Sequence, residues 1–421
     1  MAQWPLATPD SSRMVKVLAK SYEVFMIFLP LHLALLHMKS AYDLWGESID
    51  NISDFITSTI ILSFCCFATV FFILSSRKLE ELVAFMDMHF RLRSARGLTY
   101  ISIDESYSKA KRYAYFWVFA CVFGTVLWAL YPLLVHERVL PLRCWYPFDD
   151  KQPIIYEILY ALQFFAQVQI GLVYANGSAV YFVLIILICG QYDILFCSLK
   201  NVISTADYLD GTKTHELRIL QEKLTNTEDE INQYYCSSEK LEKLELAQVP
   251  RKNFQHIDCN ATLKIAMKEC VKHHHAILNV CLAMENFFNP YCLIKSLQIT
   301  FQLCFLLFIS VNQSTTSILR NINLIQYVSL TSMELLIFTY FGEVLRIQSL
   351  RIGESLMRSS WVERSVAMKK DALIILQNAS RPVTLTSGKF YPMDIQRFKS
   401  VITSAFSFFT LLQNMQAKNN I

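Results

Sequence analysis

Long apolar runs, separated by short charged segments, set the pattern of this chain. Seven runs stand out: Tyr22–Met38, Phe55–Leu74, Tyr113–Val135, Ile154–Leu195, Cys292–Val311, Leu324–Phe341, and Phe398–Leu412 with its flanks. Each approaches the roughly 20 mostly apolar residues that a helix needs to cross a bilayer. The first is the weakest, carrying Glu23, His32, His37 and a mid-run Pro30. No small-residue cleavage site follows it, so it is expected to be a span rather than a removed leader. At 1.5 Å per residue the fourth run makes roughly 63 Å of helix, about twice the hydrocarbon thickness. Only Asn176-Gly177-Ser178 could turn it. A turn there would place the basic segments on either side in one compartment, so one long helix is expected. The predicted fold is an all-α integral membrane protein with seven transmembrane helices.

Charge between the runs orients them. Arg13, Lys16 and Lys20 precede the first run, and Arg77, Lys78, Arg91, Arg93, Arg96, Lys109, Lys111 and Arg112 follow the second. Arg346, Arg351, Arg358, Arg364, Lys369 and Lys370 follow the sixth. The alternate segments hold only Lys39, then Arg138, Arg143 and Lys151, then Arg320. Cytoplasmic loops concentrate Lys and Arg, so the N-terminus is expected inside and the C-terminus outside. Sequons at Asn51 and Asn312 fall in outer loops under this topology. A seven-helix G-protein-coupled chemoreceptor is the alternative. It requires the opposite orientation, and no Asp-Arg-Tyr follows the third span. Asn289-Pro290-Tyr291 also lacks the Asn-Pro-x-x-Tyr spacing of such receptors.

Composition agrees with lipid as the solvent. Hydrophobic residues make up 53% of 421 and charged residues 18%, against about 45–50% and 25% in soluble proteins. A net charge of +4 is too small to imply nucleic acid. Cys65, Cys66, Cys121, Cys189, Cys197, Cys292 and Cys304 lie inside apolar runs. Cysteine there behaves as a small hydrophobe, which argues against a secreted disulfide framework.

The expected organisation is residues 1–200 for the first four spans, 201–288 for cytosolic helical extensions and a linker, and 289–343 for the fifth and sixth spans. A cytosolic anchor segment over 344–392 and a last helix with its tail over 393–421 complete the chain. His215–Tyr235 and Ala261–Phe288 show helical apolar spacing, and Ser237–Asn253 reads as a charged linker. Lys78–Leu92 is expected to lie as a short amphipathic helix on the inner membrane surface. The aromatic segment Cys144–Asp150 reads as an interfacial cap. His256, Cys259, Cys270 and His273–His275 match no zinc spacing, and three successive histidines point around a helix, so a solvated face is expected. No metal or cofactor is expected.

Polarity persists inside the last span. Gln396, Ser400, Thr403, Ser407, Thr410 and Asn414 follow steps of four, three, four, three and four, one stripe on an α-helix. Such a stripe can line water in a pore shared between subunits, though Ser and Thr also serve helix packing in membranes. Leu411, beside the stripe near its outer end, is the candidate constriction. Elsewhere no span carries paired carboxylates, a His-Glu-x-x-His, a phosphate-cradling glycine loop or a nucleophile elbow, so no enzyme is expected. Glu334 and Glu343 read as isolated, and Lys295 as a snorkelling residue near a membrane end.

The C-terminal third resembles the insect odorant receptor family. The matching residues are Tyr340-Phe341-Gly342-Glu343, Ser349, Trp361, Lys369-Lys370-Asp371, Leu373–Gln377, Arg381-Pro382, Leu385-Thr386, Gly388-Lys389-Phe390, Phe398 and Ser407–Leu412. Ser387 stands where Ala is frequent, and Phe406 and Phe408 where tyrosines are. The resemblance implies an odour-tuned subunit of a tetrameric, poorly selective cation channel, assembled with a common co-receptor subunit in the plasma membrane of olfactory sensory dendrites. It implies a pore lined by the last helix (Ser400, Thr403, Ser407, Thr410, Asn414) and gated at Leu411. It also implies an outer pocket for a volatile, mostly apolar ligand among spans two, three, four and six. Placed on this sequence, the pocket candidates are Ile60, Ser63, Phe64 and Phe67, then Cys121, Gly124 and Trp128, then Gln167, Gly171 and Tyr174, then Tyr327. Gly124 is expected to leave room beside the Trp128 indole.

Overall fold

The structure, a computed structural model, describes residues 12–43, 49–90, 104–134, 139–209, 259–312, 318–357, 359, 361 and 366–419. The sequence-predicted helix His215–Tyr235, the linker Ser237–Asn253 and His256 lie outside the described residues.

Each apolar run becomes a helix, and several continue far beyond a membrane thickness. The elements in chain order are α1 (Arg13–Asp43), α2 (Ile49–Leu74), α3 (Ser76–Phe90), α4 (Asp104–Leu134), α5 (Pro153–Lys200) and α6 (Val202–Leu209). They continue with α7 (Cys259–Asn312), α8 (Ile318–Met357), α9 (Val366–Ala379), a hairpin of β1 (Thr386–Ser387) and β2 (Tyr391–Pro392), and α10 (Ile395–Asn419). Six of these helices are long and apolar enough to cross a membrane; α10 completes a seven-helix membrane fold, although its polar stripe keeps it out of that set.

Helix α5 is unbroken through Asn176-Gly177-Ser178. A Cβ on Gly177 would collide with the Tyr291 hydroxyl of α7, so this glycine serves helix contact rather than a turn. Asn289-Pro290-Tyr291 likewise lies within α7. The centre of the bundle is formed by α5 and α7, whose Tyr181, Ile185, Tyr192, Ile277, Val280, Met284 and Tyr291 are fully buried. Around Tyr291 gather Phe64, Phe67, Phe71, Phe72, Phe288 and Phe338, with ring centroids 5.5–6.5 Å from its own.

Two expectations are corrected below this centre. Helix α3 packs against α7 and buries Leu79, Leu82, Met86 and Phe90, so its apolar stripe faces protein rather than lipid. His273 and His274 are buried rather than solvated. His273 Nε2 lies 2.9 Å from Gln191 Oε1 on α5, and its ring meets Phe90 edge-on at 6.1 Å. Burial holds the His274 imidazole below its usual pKa. The three histidines do diverge around the helix, but His273 is met by both α3 and α5.

The hairpin ties α10 to the bundle. Gly388 and Lys389 both adopt left-handed φ, +62° and +60°, and Phe390 N donates to Ser387 O at 3.1 Å. Glycine accepts that φ without penalty. Asn289 Nδ2 donates to Thr386 Oγ1 at 2.7 Å, and the Ser296 and Ser387 hydroxyls meet at 3.0 Å. Gly342 on α8 lies so close to the Met393 carbonyl that a Cβ would overlap it. Gly342→Ala should therefore destabilise the junction by roughly 1–3 kcal/mol, the usual cost of overpacking. The check is the thermal unfolding midpoint of the detergent-solubilised protein, which should fall relative to the parent.

Candidate functional site

A cavity of about 430 Å³ lies in the outer half of the bundle, as the chain directions define it. Helix α2 contributes Phe55, Thr57, Ser58, Ile61 and Leu62, and α4 contributes Trp117, Cys121, Gly124, Thr125, Trp128 and Pro132. Gln167, Ile170, Gly171 and Tyr174 come from α5, and Gln302, Leu306 and Ile309 from α7. Helix α8 supplies Asn323, Leu324, Gln326, Tyr327, Leu330, Thr331 and Glu334, and His37 of α1 completes the helical wall.

The segment Val139–Arg143 roofs the cavity. It is held by side chains that satisfy its backbone. Gln163 accepts from Leu142 N at 2.8 Å and donates to Leu142 O at 3.0 Å. His37 places one ring nitrogen 2.8 Å from the Arg143 carbonyl and the other 3.3 Å from the Phe55 carbonyl. Trp145 N donates to Leu36 O at 3.1 Å, continuing the attachment of this aromatic segment to α1. Outside the spans, burial pushes the Tyr146 phenol up to about 12, although Gln163 donates to its oxygen at 3.2 Å.

Of the sequence-predicted pocket residues, Cys121, Gly124, Trp128, Gln167, Gly171, Tyr174 and Tyr327 line this cavity. Trp128 and Tyr327 meet edge to face at 5.7 Å between centroids. The four α2 candidates do not line it. Ser63 is exposed on the outer surface of α2, Ile60 is half-buried outside the cavity wall, and Phe64 and Phe67 belong to the aromatic cluster around Tyr291. The cavity-facing stripe of α2 is displaced to Thr57, Ser58, Ile61 and Leu62. One residue rotates a helix position by about 100°, so an assignment off by one turns to another face. Gly124 also acts differently than expected. Its Cβ would come within 2.6 Å of Gln326 Nε2 and Leu330 Cδ1, so it allows α8 to approach α4 beside the cavity that it and Trp128 both line. Gly171 does the same between α5 and Thr125 of α4.

The cavity floor holds a feature that the sequence reading misplaced. Lys295 of α7 and Glu334 of α8 form an ion pair, Nζ to Oε1 at 2.8 Å, with the two residues only 1% and 4% exposed. Lys295 does not snorkel and Glu334 is not isolated. The ammonium also sits over the rings of Tyr174 and Phe64, 3.9 and 4.2 Å from their centroids. Ser178 Oγ of α5 donates to Glu334 Oε1 at 2.8 Å. Glu343 is paired too, through a fork to Arg346 at 2.6 and 3.0 Å. A usable signal existed: opposite charges inside neighbouring spans are too costly to leave unpaired.

The second candidate feature is the polar stripe of α10. Val401 and Ala405 on one face pack against Ile299 and Leu303 of α7 and Leu335 of α8. On the other face Gln396, Ser400, Thr403, Ser407, Thr410, Leu411 and Asn414 are exposed, with Leu411 at 55%. The hydroxyls of Thr403, Ser407 and Thr410 donate to carbonyls of their own helix, 2.8–3.0 Å away. They therefore form a weakly polar surface with no unmet donors. Phe408 beside them stacks on Phe301 of α7 at 6.2 Å. Among the described residues no cluster of His, Cys, Asp and Glu could hold a metal ion.

Known proteins match this chain in sequence and in fold. A family model described as 7tm odorant receptor matches residues 48–406. Odorant receptor 85e of Drosophila melanogaster is 40% identical over 407 residues, covering 96% of this chain and 86% of that one. Odorant receptor 83a of the same fly is 33% identical over 405 residues, covering 94% and 88%. The solved structure of the insect olfactory receptor OR5 from Machilis hrabei with eugenol superposes with a TM-score of 0.72. It is 18% identical and covers 98% of this chain and 94% of its own, a likeness of fold.

The ion pair makes its own prediction. Removing one partner of a buried pair leaves a desolvated charge, at a cost of about 3–5 kcal/mol, whereas replacing both by apolar groups is close to neutral. Lys295→Met should thus lower the thermal midpoint of detergent-solubilised protein far more than Lys295→Met combined with Glu334→Leu. Equal losses in the single and double variants would show that the two charges are not coupled.

Proposed function

The chain belongs to the 7tm odorant receptor family of insects, and we propose that it is a subunit of an odorant-gated, poorly selective cation channel. In this reading four subunits, this chain together with a common co-receptor, surround a central pore in the plasma membrane of olfactory sensory dendrites. The observation that carries the reading is the exposure of the hydroxyl stripe Ser400–Thr410 on a helix whose other face is buried. A polar stripe facing away from its own bundle within a membrane fold is best explained by water in a space enclosed by several copies, most simply a symmetric ring. Leu411 supplies the apolar constriction that gates such a path by dewetting.

Exposed apolar residues below the spans support the assembly. Leu373 and Ile374 on α9 are 56% and 57% exposed, while Met368, Ala372 and Ile375 on its opposite face are buried in the same chain. Contiguous exposed apolar surface marks a contact with another protein. We assign it to the neighbouring subunit's anchor.

The cavity is assigned as the odorant site. A volatile ligand that packs better in one arrangement of the outer helix ends shifts the population toward it. Helices α7 and α8 line the cavity and also carry the packing surface for α10. A shift in their outer halves is therefore transmitted to Leu411 without an intermediary element.

Two substitutions and one patch recording test these roles. Trp128→Ala should change odorant potency or tuning by about tenfold, the order lost when one aromatic contact to a ligand is removed. Leu411→Ser should raise the basal current without odorant. Ligand-evoked current in excised patches lacking nucleotides should persist when the co-receptor is present. Loss of that current on GTP removal, or identical behaviour of both variants and the parent, would overturn the channel reading.

A further inference from the structure

The floor of the cavity specifies more than an apolar volume. Both contacts of Glu334, from Lys295 and from Ser178, engage Oε1. Its second oxygen, Oε2, takes no hydrogen bond among the described residues, and Glu334 lines the cavity. Two helical turns nearer the mouth on the same face of α8, the Tyr327 hydroxyl is buried and also has no partner. Between them Thr331 is already engaged, donating to the Tyr327 carbonyl at 2.9 Å and accepting from Gln302 Nε2 at 2.9 Å. The wall thus presents an unused anionic acceptor at its deep end and an unused hydroxyl above it. Buried polar groups left in this state are costly, and a ligand that satisfies them recovers the cost.

Resting on the odorant-site reading above, we propose that the preferred ligand class is a small neutral alcohol or phenol whose hydroxyl donates to Glu334 Oε2. The charge balance of the floor selects this class. Lys295 already neutralises Glu334, so an ammonium ligand brings a net positive charge into a low-dielectric site. A carboxylate ligand places a second anion against Oε2. Ethers and esters are neutral and can accept from the Tyr327 hydroxyl, but they have no proton to donate to Glu334 Oε2. A hydroxyl supplies the donor without adding charge, and its carbon skeleton is left to Leu62, Trp117 and Cys121. The unpartnered Tyr327 hydroxyl accommodates a second oxygen on a longer ligand.

The test compares benzyl alcohol, phenol and cyclohexanol, each against its own methyl ether, on cells expressing the chain with the co-receptor. In the parent each alcohol should act at an EC50 about tenfold below its ether, the scale of one hydrogen bond to a charged group. In Lys295→Met/Glu334→Leu, which removes both charges together, the ratio should fall within about threefold while the ethers still evoke current. The ether response reports that this variant is folded and conducting. Ethers matching alcohols in the parent overturn the assignment without any variant. So does a tenfold ratio that survives in the double variant. Silence to every compound, while Leu411→Ser still leaks, overturns the hydroxyl assignment alone. Silence together with absence of that leak overturns the channel reading beneath it.

Discussion

A buried charge in a membrane bundle must be neutralised where it stands, and the Lys295–Glu334 pair imposes that requirement on four helices at once. The ammonium needs Glu334 of α8 at 2.8 Å and the faces of Tyr174 on α5 and Phe64 on α2, while the carboxylate takes a hydroxyl from Ser178 of α5. None of these partners can be reached unless α2, α5, α7 and α8 meet at one depth. That depth is also where the cavity ends. Above it the helices enclose the cavity; below it Tyr291 packs among its ring of phenylalanines. The floor is therefore an electrostatic plug on an aromatic base. Ionic geometry tolerates sliding poorly, so the pair also fixes the register of α7 against α8.

That register matters because the same two helices hold α10. Lys295 and Ser296 are neighbours on α7: one pairs with Glu334 of the cavity wall, and the other meets Ser387 of the hairpin at 3.0 Å. One turn further along, Ile299 and Leu303 pack on Val401 and Ala405, and on α8 Leu335 adjoins Glu334 in the same cluster. The cavity wall and the α10 contact thus occupy adjacent positions on common helices. Packed interiors respond to displacement by switching between discrete arrangements rather than by deforming continuously, so a small movement at the floor has a direct route to α10.

Much of this was legible in the chain, for identifiable reasons. Apolar run length gave the helices, and the absence of an alternative turn gave the unbroken α5, because lipid removes every option except complete backbone hydrogen bonding within a helix. The α10 stripe followed from spacing alone. What escaped were relations between helices. Helical periodicity defines a face but not which neighbour it meets, so Phe64 and Phe67 were placed toward the ligand while Tyr291 occupied that side. Gly124 was read as room beside an indole, and it and Gly171 are also places where another helix approaches. The α3 stripe and His273 were assigned to lipid and water because their true partners lie far along the chain. Lys295 and Glu334 were each judged alone, and only the cost of an unpaired intramembrane charge could have joined them.

The helix least suited to lipid is the one whose exposed face most needs a partner. Helix α10 carries Arg397, Lys399 and the hydroxyl stripe, and it alone of the seven falls short of the apolar character of a lipid-facing span. In a monomer its stripe would face hydrocarbon with only its own carbonyls to satisfy it. Its buried side, by contrast, rests on Val401 and Ala405, small residues that bring α10 close to α7 and α8. An apolar inner side and a weakly polar outer side invert the order of a soluble helix only if lipid is the outer solvent. With water outside, the order is the ordinary one. The hydroxyl stripe gives α10 the face of a helix that meets water, while Phe406, Phe408 and Leu411, exposed beside it, keep that face only weakly polar.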